Sequence, residues 1–429
     1  MSNCKLHPEF LASTRQLFGE ERFERYLQSF DEEPPVSIRL NPLKTSPSLP
    51  RQSVVLQWGR PGEVPWCRNA YYLPQRPNFT MDPLLHAGCY YVQEAASMFL
   101  DEVLLKMHTA YANHQPGSIR PLAALDLCAA PGGKSTLLRA ALPKDCVLYS
   151  NEPIRNRANI LAENVLKWGA PNHIVTNNYP RDYRASKMRF DIILCDVPCS
   201  GEGMFRKDPA TIGEWSPQNV EKCWQLQREI VDDAWQCLND GGMLIYSTCT
   251  FNTKENEENV RYFLEQYDAQ LLPIDIQPEW HITGSLLEGF TGPVYRFIPG
   301  ITRSEGLFMA VLHKAPAPGD CPSCEKRSGL QRDCPHKDKR KPALNMLAST
   351  ADRPTSDVKV ELDYQQAISY LRHEALRLPD DTPLGLVEVC FQGHPLGLVK
   401  NIGSRANNLY PKEWKIKTTH IPETYEPIL

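Results

Sequence analysis

A chain of 429 residues is too long for one ordinary domain, and 41% hydrophobic with 23% charged residues is the make-up of a globular protein with two or three cores. No run approaches the roughly eighteen apolar residues of a membrane span, and Met1-Ser2-Asn3-Cys4-Lys5 carries no apolar leader, so no membrane and a cytoplasmic location are expected. The 14 cysteines are then expected as free thiols, and the net charge of −4 leaves room for a local basic patch without announcing one.

Two short amphipathic helices are predicted first, carrying Phe10, Leu11, Leu17 and Phe18, then Phe23, Tyr26, Leu27 and Phe30. An extended segment, Val36-Ser37-Ile38-Arg39-Leu40-Asn41-Pro42, leads into a Pro- and Trp-rich stretch with turn signals. From about 123 to 315, apolar runs alternate with helical patterns. Strands are predicted at Ala123–Cys128, Cys146–Asn151, His173–Thr176, Phe190–Asp196 and Met243–Ser247, and helices at about 134–142, 155–168 and 217–238. That alternation predicts an α/β fold with a parallel, doubly wound sheet. Residues 315–350 are rich in Pro, Lys, Arg and Cys without periodicity and are expected to be a linker. Beyond it the pattern predicts a helix near Tyr364–Leu376 and two strands, Gly385–Cys390 and Gly397–Lys400, turning at Gln392-Gly393-His394. The expected domains are 1–100, 101–315 and 355–429, with 316–354 as the linker.

The first chemical motif is Asp126-Leu127-Cys128-Ala129-Ala130-Pro131-Gly132-Gly133-Lys134-Ser135. It follows a predicted strand and opens a predicted helix, where a glycine turn lets backbone amides approach a ligand. A nucleotide triphosphate loop would need glycine where Cys128 stands, and the dinucleotide pattern Gly-x-Gly-x-x-Gly is absent. Glu152 closes the next strand at the distance where an acidic residue meets a ribose. The site therefore reads as a place for an adenosine without a triphosphate, against the plainer alternative of a glycine turn that caps a helix.

The second motif, Asp196-Val197-Pro198-Cys199-Ser200-Gly201-Glu202-Gly203, ends the strand that begins at Phe190. The third, Tyr246-Ser247-Thr248-Cys249-Thr250-Phe251, ends another and is followed by Asn256-Glu257 on a helix. Ligands of open α/β sheets sit at the carboxyl ends of strands, so Cys199 and Cys249 are expected to meet there beside Asp196. Either cysteine alone would pass for a small buried hydrophobe. Two of them, with an aspartate and a cofactor loop at one sheet edge, would not.

These residues resemble the Sun/Nop family of RNA 5-methylcytosine methyltransferases, and within it the RsmF-type rRNA enzymes. The loop Cys128, Ala129, Ala130, Pro131, Gly132, Gly133 and Lys134 resembles the family's cofactor motif, and Glu152 its ribose-binding acid. Asn178 stands where a residue near the adenine is expected, although many relatives carry an acidic residue there. Asp196, Pro198 and Cys199 match one catalytic motif, and Thr248 and Cys249 another. Arg39-Leu40-Asn41-Pro42, Tyr91-Val92-Gln93-Glu94-Ala95-Ala96-Ser97 and Arg206-Lys207-Asp208-Pro209 also fit. The tail, with Gly397–Asn401 and Arg405-Ala406-Asn407-Asn408-Leu409-Tyr410-Pro411, is similar to a PUA-like RNA-binding end.

The resemblance implies a Rossmann-like class I methyltransferase domain between an N-terminal α+β RNA-binding domain and a small C-terminal PUA-like domain. It implies S-adenosyl-L-methionine as cofactor and RNA, above all 16S rRNA free or within the small ribosomal subunit, as partner; a monomer is expected. The chemistry needs these residue types, because carbon 5 of cytosine is a poor nucleophile until a thiolate has added to carbon 6. On the resemblance Cys249 attacks and Cys199 assists release; the residues alone do not order the two. Asp196 is expected to hydrogen-bond ring nitrogen 3 as an acid kept protonated by burial or a negative neighbour. Lys134 is expected to contact the target nucleotide or favour a thiolate, since a cation in a helix first turn is otherwise disfavoured. RNA capture is expected from the N-terminal domain, the Arg206-Lys207 loop, the basic linker, and Arg405, Lys412, Lys415 and Lys417 of the tail. Methylation of tRNA by the same chemistry and a silent RNA-binding assembly factor are the alternatives, and intact Cys199, Cys249, Asp196 and Lys134 speak against silence. Cys321, Cys324, Cys334 and His336 are spaced to offer four zinc ligands, but their setting is that of a linker and no metal is expected.

Overall fold

The computed structural model describes residues 6–45, 62–114, 121–316, 344–352, 354–418, 421–422 and 424–429. The central sheet has nine strands. Its parallel part comprises β4 (Ala123–Asp126), β5 (Val147–Asn151), β6 (His173–Thr176), β7 (Phe190–Asp196) and the leading edge of β8 (Leu238–Thr248). The order reverses between β4, which neighbours β5 on one side, and β7 on the other. Such a switch point opens a crevice at the strand ends, and it is where the first chemical motif leaves β4. Burial runs through β7 without alternation until its last residue, as a strand covered on both faces requires. The helices Gly133–Ala141 and Pro217–Cys237 supply those covers, and Arg155–Trp168 covers β6.

Antiparallel strands extend the sheet. β9 (Ala269–Leu271) and β10 (Tyr295–Phe297) each pair with β11 (Leu307–Lys314), which pairs with β8. On the opposite edge β12 (Met346–Ser349) pairs with β6. Residues 344–352 were expected to be linker, and here the structure differs. Four residues without a β-branched side chain offer no strand pattern, and only the open edge of β6 orders them. Residues 317–343, with Cys321, Cys324, Cys334 and His336, lie outside the described residues.

β1 (Val36–Leu40) sits between β2 (Ala70–Leu73) and β3 (Tyr90–Val92) in a small antiparallel sheet. The tail forms a four-stranded sheet of β13 (Lys359–Glu361), β14 (Gly385–Phe391), β15 (His394–Asn401) and β16 (Ala406–Asn408). Gln392 and Gly393 turn the hairpin with φ of 50° and 76°, the left-handed pair that a tight two-residue turn demands.

The tail does not stand apart after its linker. Ile368, Tyr370, Leu371, Val387 and Phe391 share one buried cluster with Ile38, Phe79, Leu84 and Tyr90 of the N-terminal region. Tyr364 donates to the Met81 carbonyl at 3.2 Å and Tyr425 to Asp82 Oδ1 at 3.1 Å. The first two helices, Pro8–Phe18 and Glu20–Gln28, pack elsewhere. Their Phe10, Phe18, Phe23 and Tyr26 bury against Phe205, Trp215 and Phe251, which follow the two candidate cysteines in the chain. No helix among the described residues is long and apolar enough to cross a membrane, and their cysteines are all free.

Candidate active site

The cofactor loop begins as β4 ends. Ala129 N–H donates to the Asn151 carbonyl at 2.8 Å, tying the loop to the end of β5. Gly132 then turns with φ of +116°, a conformation that favours glycine, and the helix starts at Gly133. Two side chains hold the loop from the next helix, Asn164 donating to the Pro131 carbonyl at 2.8 Å and Arg157 to the Ala130 carbonyl at 3.2 Å. From the N-terminal sheet, buried Arg39 donates to Thr136 Oγ1 at 2.7 Å and to Gly133 O at 3.2 Å while lying over the Trp168 ring. Arg39 thus braces the cofactor helix, a task its place in the N-terminal signature did not reveal.

Carboxylates surround this loop. Asp126 lies beneath it, fully buried, with Oδ2 accepting from Ser135 at 2.6 Å and Oδ1 without a protein partner. Burial pushes its carboxyl up to about 7, and the charges of Asp196 and Glu152 add to the rise. Glu152 is buried at the end of β5 and accepts from Ile154 N–H at 3.0 Å. An acidic set around a glycine turn, with an orphaned oxygen at its floor, fits a cofactor that carries a positive sulfonium and a ribose. Asn178 follows β6 and is buried nearby, but both ends of its side-chain amide are engaged by the backbone of Asn345.

The two cysteines come together. β7 and β8 run parallel, with Asp196 beside Ser247, so each motif leaves the sheet at the same height. The Cys199 and Cys249 sulfurs lie 3.1 Å apart, and Cys249 N–H donates to Cys199 Sγ at 3.3 Å. A disulfide spans about 2.05 Å, so these are two thiols in contact rather than a bond. The hydrogen bond with Cys249, then burial, raises the Cys199 thiol well above 9.

Lys134 reaches across from the cofactor helix and donates to Asp196 Oδ2 at 2.9 Å. Burial alone would lower its pKa, but the charge and hydrogen bond of Asp196, with a further pull from Cys249, raise it above 10.5. Ser247 donates to the other oxygen, Oδ1. Asp196, expected to be buried or to face a negative neighbour, is instead 31% exposed and faces an ammonium. Arg206 needs a second correction. Its side chain is 6% exposed and pairs with buried Glu305 at 2.6 Å while donating to the Ser29 carbonyl, so it locks loops together and is not free for RNA.

Sequence reasoning missed the frame around the thiols. Glu202 accepts from the Phe251 and Asn252 N–H groups at 2.8 and 2.9 Å, and Glu255 from Ser200 N–H at 3.0 Å. Each acid thus belongs to one cysteine's loop and holds the other's. Burial pushes Glu255 up to about 7. Gly203 and Gly306 close the frame, since a Cβ on Gly203 would stand 2.6 Å from Gly306 Cα. The only signal was an acid a few residues after each cysteine, in segments whose residues otherwise read as turns. No group of three or more His, Cys, Asp or Glu among the described residues is placed to hold a metal.

A doubly wound sheet with an acid-ringed glycine loop at its switch point and two thiols at the neighbouring strand ends defines an S-adenosylmethionine-dependent methyltransferase of the two-cysteine kind. A family model described as 16S rRNA methyltransferase RsmB/F matches residues 120–313. Models for the N-terminal domain of 16S rRNA methyltransferase RsmF and for the methyltransferase RsmF PUA domain match residues 6–95 and 357–416. The chain belongs to this RsmF-type family. Ribosomal RNA small subunit methyltransferase F of Escherichia coli O157:H7 is 30% identical over 450 residues, covering 88% of this chain and 89% of the relative. The protein of that name from Erwinia tasmaniensis is 27% identical over 474 residues, covering 95% and 96%. Among solved structures, a methyltransferase homolog protein from Pyrococcus horikoshii is 26% identical with a TM-score of 0.55, covering 72% of this chain and all of that one. The structure of NSun6 from the same organism shares the fold at 19% identity and a TM-score of 0.59, covering 73% and 99%.

Proposed function

We propose that this protein transfers a methyl group to carbon 5 of a cytosine in small-subunit rRNA, as a cytoplasmic monomer acting on the free RNA or the assembled subunit. The contact of Cys199 with Cys249, beside the Lys134–Asp196 pair, carries the proposal. S-adenosylmethionine supplies an electrophilic methyl group when bound at Cys128–Lys134 with its ribose at Glu152 and its adenine toward Asn178. Everything else falls to the chain's own residues.

The Cys249 sulfur forms a bond to carbon 6, and the ring's electron pair moves to carbon 5, which then takes the methyl group. On the family resemblance Cys249 is the nucleophile, and Lys134 is a cation that feels its charge. Lys134 and Asp196, held together, present one donor and one acceptor to the edge of the pyrimidine. Release requires the carbon 5 proton to leave and the carbon–sulfur bond to break, its electrons returning to Cys249. Once Cys249 is a thioether it no longer raises the Cys199 pKa by its hydrogen bond and charge. Cys199 then loses its proton more readily, which equips it as base for the second half of the reaction.

The test uses total RNA from cells lacking the gene. Bisulfite sequencing is expected to show one missing 5-methylcytosine in small-subunit rRNA, restored by the wild-type chain and not by Cys249→Ala. A methyl group missing from tRNA with rRNA intact would overturn the substrate. Restoration by Cys249→Ala would overturn the chemistry and favour the assembly-factor alternative.

A further inference from the structure

The strand that follows the linker does more than extend the sheet. One residue, Asn345, makes three contacts through its backbone with the chain leaving β6. Its carbonyl accepts from Asn177 N–H at 3.0 Å and from Asn178 Nδ2 at 3.3 Å, and its N–H donates to Asn178 Oδ1 at 2.9 Å. The amide side chain of Asn178 is thus paired as though it were one more rung of the ladder that joins β6 to β12. The backbone of Asn178 is held from the other side. Its N–H donates to Asn151 Oδ1 at 3.0 Å, and its carbonyl accepts from Asn151 Nδ2 at 2.9 Å. Asn177 reaches the ribose side, donating to the carbonyls of Glu152 and Pro153 at 2.7 and 2.9 Å. Just beyond Asn345, Leu347 and Ala348 pack on the cluster of Ala129, Leu161 and Val175, which includes a residue of the cofactor loop.

We infer that Asn345 is a positioning residue of the cofactor site, its main chain holding the Asn178 amide in place, so that the chain leading into the tail completes the adenine side of the pocket. This rests on the assignment of Asn178 to the cofactor made above. The same contacts suit asparagine at this position. Asn178 Nδ2 faces the Asn345 carbonyl, and an aspartate there would set two acceptors against each other in a buried place. Two of the amide's four hydrogen-bonding positions are used and two remain, one N–H and one oxygen lone pair, available to a ligand.

Calorimetric titration of the full-length protein with S-adenosylhomocysteine tests the inference. Asn345→Pro removes the N–H that meets Asn178 and keeps the carbonyl; about a tenfold weaker Kd is expected. Asn345→Ala, which spares the main chain, is expected to bind as wild type. Asn178→Ala is expected to bind about tenfold more weakly, and adding Asn345→Pro to it should cost nothing further, because both changes break one coupling. Turnover by Asn345→Pro is expected to show a raised KM for S-adenosylmethionine with kcat and RNA affinity kept, a split that general loosening of the fold would not give. A wild-type Kd in Asn345→Pro, or a loss that adds fully to that of Asn178→Ala, overturns the positioning role alone. A wild-type Kd in Asn178→Ala overturns the assignment of Asn178, and the inference with it.

Discussion

Lys134 and Asp196 pair across 2.9 Å although one opens a helix and the other ends a strand 62 residues later. The pair is half-buried, with side chains 15% and 31% exposed, so water screens it only in part. Lys134→Ala would leave Asp196 with Ser247 as its sole side-chain partner of those described and remove a cation whose charge couples to Cys249. We expect a roughly hundredfold fall in kcat. Alkylation of Cys249 by iodoacetamide, followed by mass spectrometry, should slow at pH 7 in the variant. An unchanged alkylation rate would show that Lys134 does not serve the thiol.

Cys199→Ala is expected to accumulate a covalent protein–RNA adduct, because attack by Cys249 proceeds and release does not. Cys249→Ala is expected to give neither adduct nor product. A denaturing gel with labelled RNA reads both, and an adduct in Cys249→Ala instead would reverse the two roles.

Arg206→Ala would leave Glu305 as a buried charge without its partner. Such a loss costs about 3–5 kcal/mol, so a clear fall in melting temperature is expected. The salt dependence of RNA binding should not move, since the guanidinium is already engaged. By contrast Arg405, Lys412, Lys415 and Lys417 are exposed. Changing all four to alanine should weaken RNA binding and flatten its salt dependence, read from affinities at several salt concentrations, while cofactor affinity stays.

Asp126 gives a pH signature. Its carboxyl is near 3.8 when unfolded and about 7 when folded, so between these values the folded state binds more protons than the unfolded one. Stability of the cofactor-free protein should therefore fall as pH rises through that window. Asp126→Asn should remove the fall, and denaturant unfolding at pH 4, 5.5 and 7 would show it. A parallel profile in the two proteins would place the sensitivity elsewhere, with Glu255 the next candidate.

Local pattern carried far in this chain. His173–Thr176 and Phe190–Asp196 form as strands over the residues their apolar runs mark, and the helix Arg155–Trp168 spans its 3.6-residue pattern. The two cysteines meet because strand ends in a parallel sheet are level, which spacing alone makes visible. What local pattern hid was set by distant partners. Met346–Ser349 is a strand only because β6 offers an edge. Arg206 looked like an RNA contact because nothing near it in the chain reveals Glu305, 99 residues on. The cation beside Asp196 was hidden for the same reason, Lys134 lying on another element.

The shared core of the two ends has a consequence during synthesis. Ile368, Tyr370 and Phe391, which cover Ile38, Phe79, Leu84 and Tyr90, are made only after the whole methyltransferase domain that lies between them in the chain. At roughly 5–20 residues per second, an apolar face of the first domain waits tens of seconds for its cover. A message truncated before the tail would yield a chain whose opening segment is left permanently uncovered, a substrate for chaperones and proteases before it is ever an enzyme.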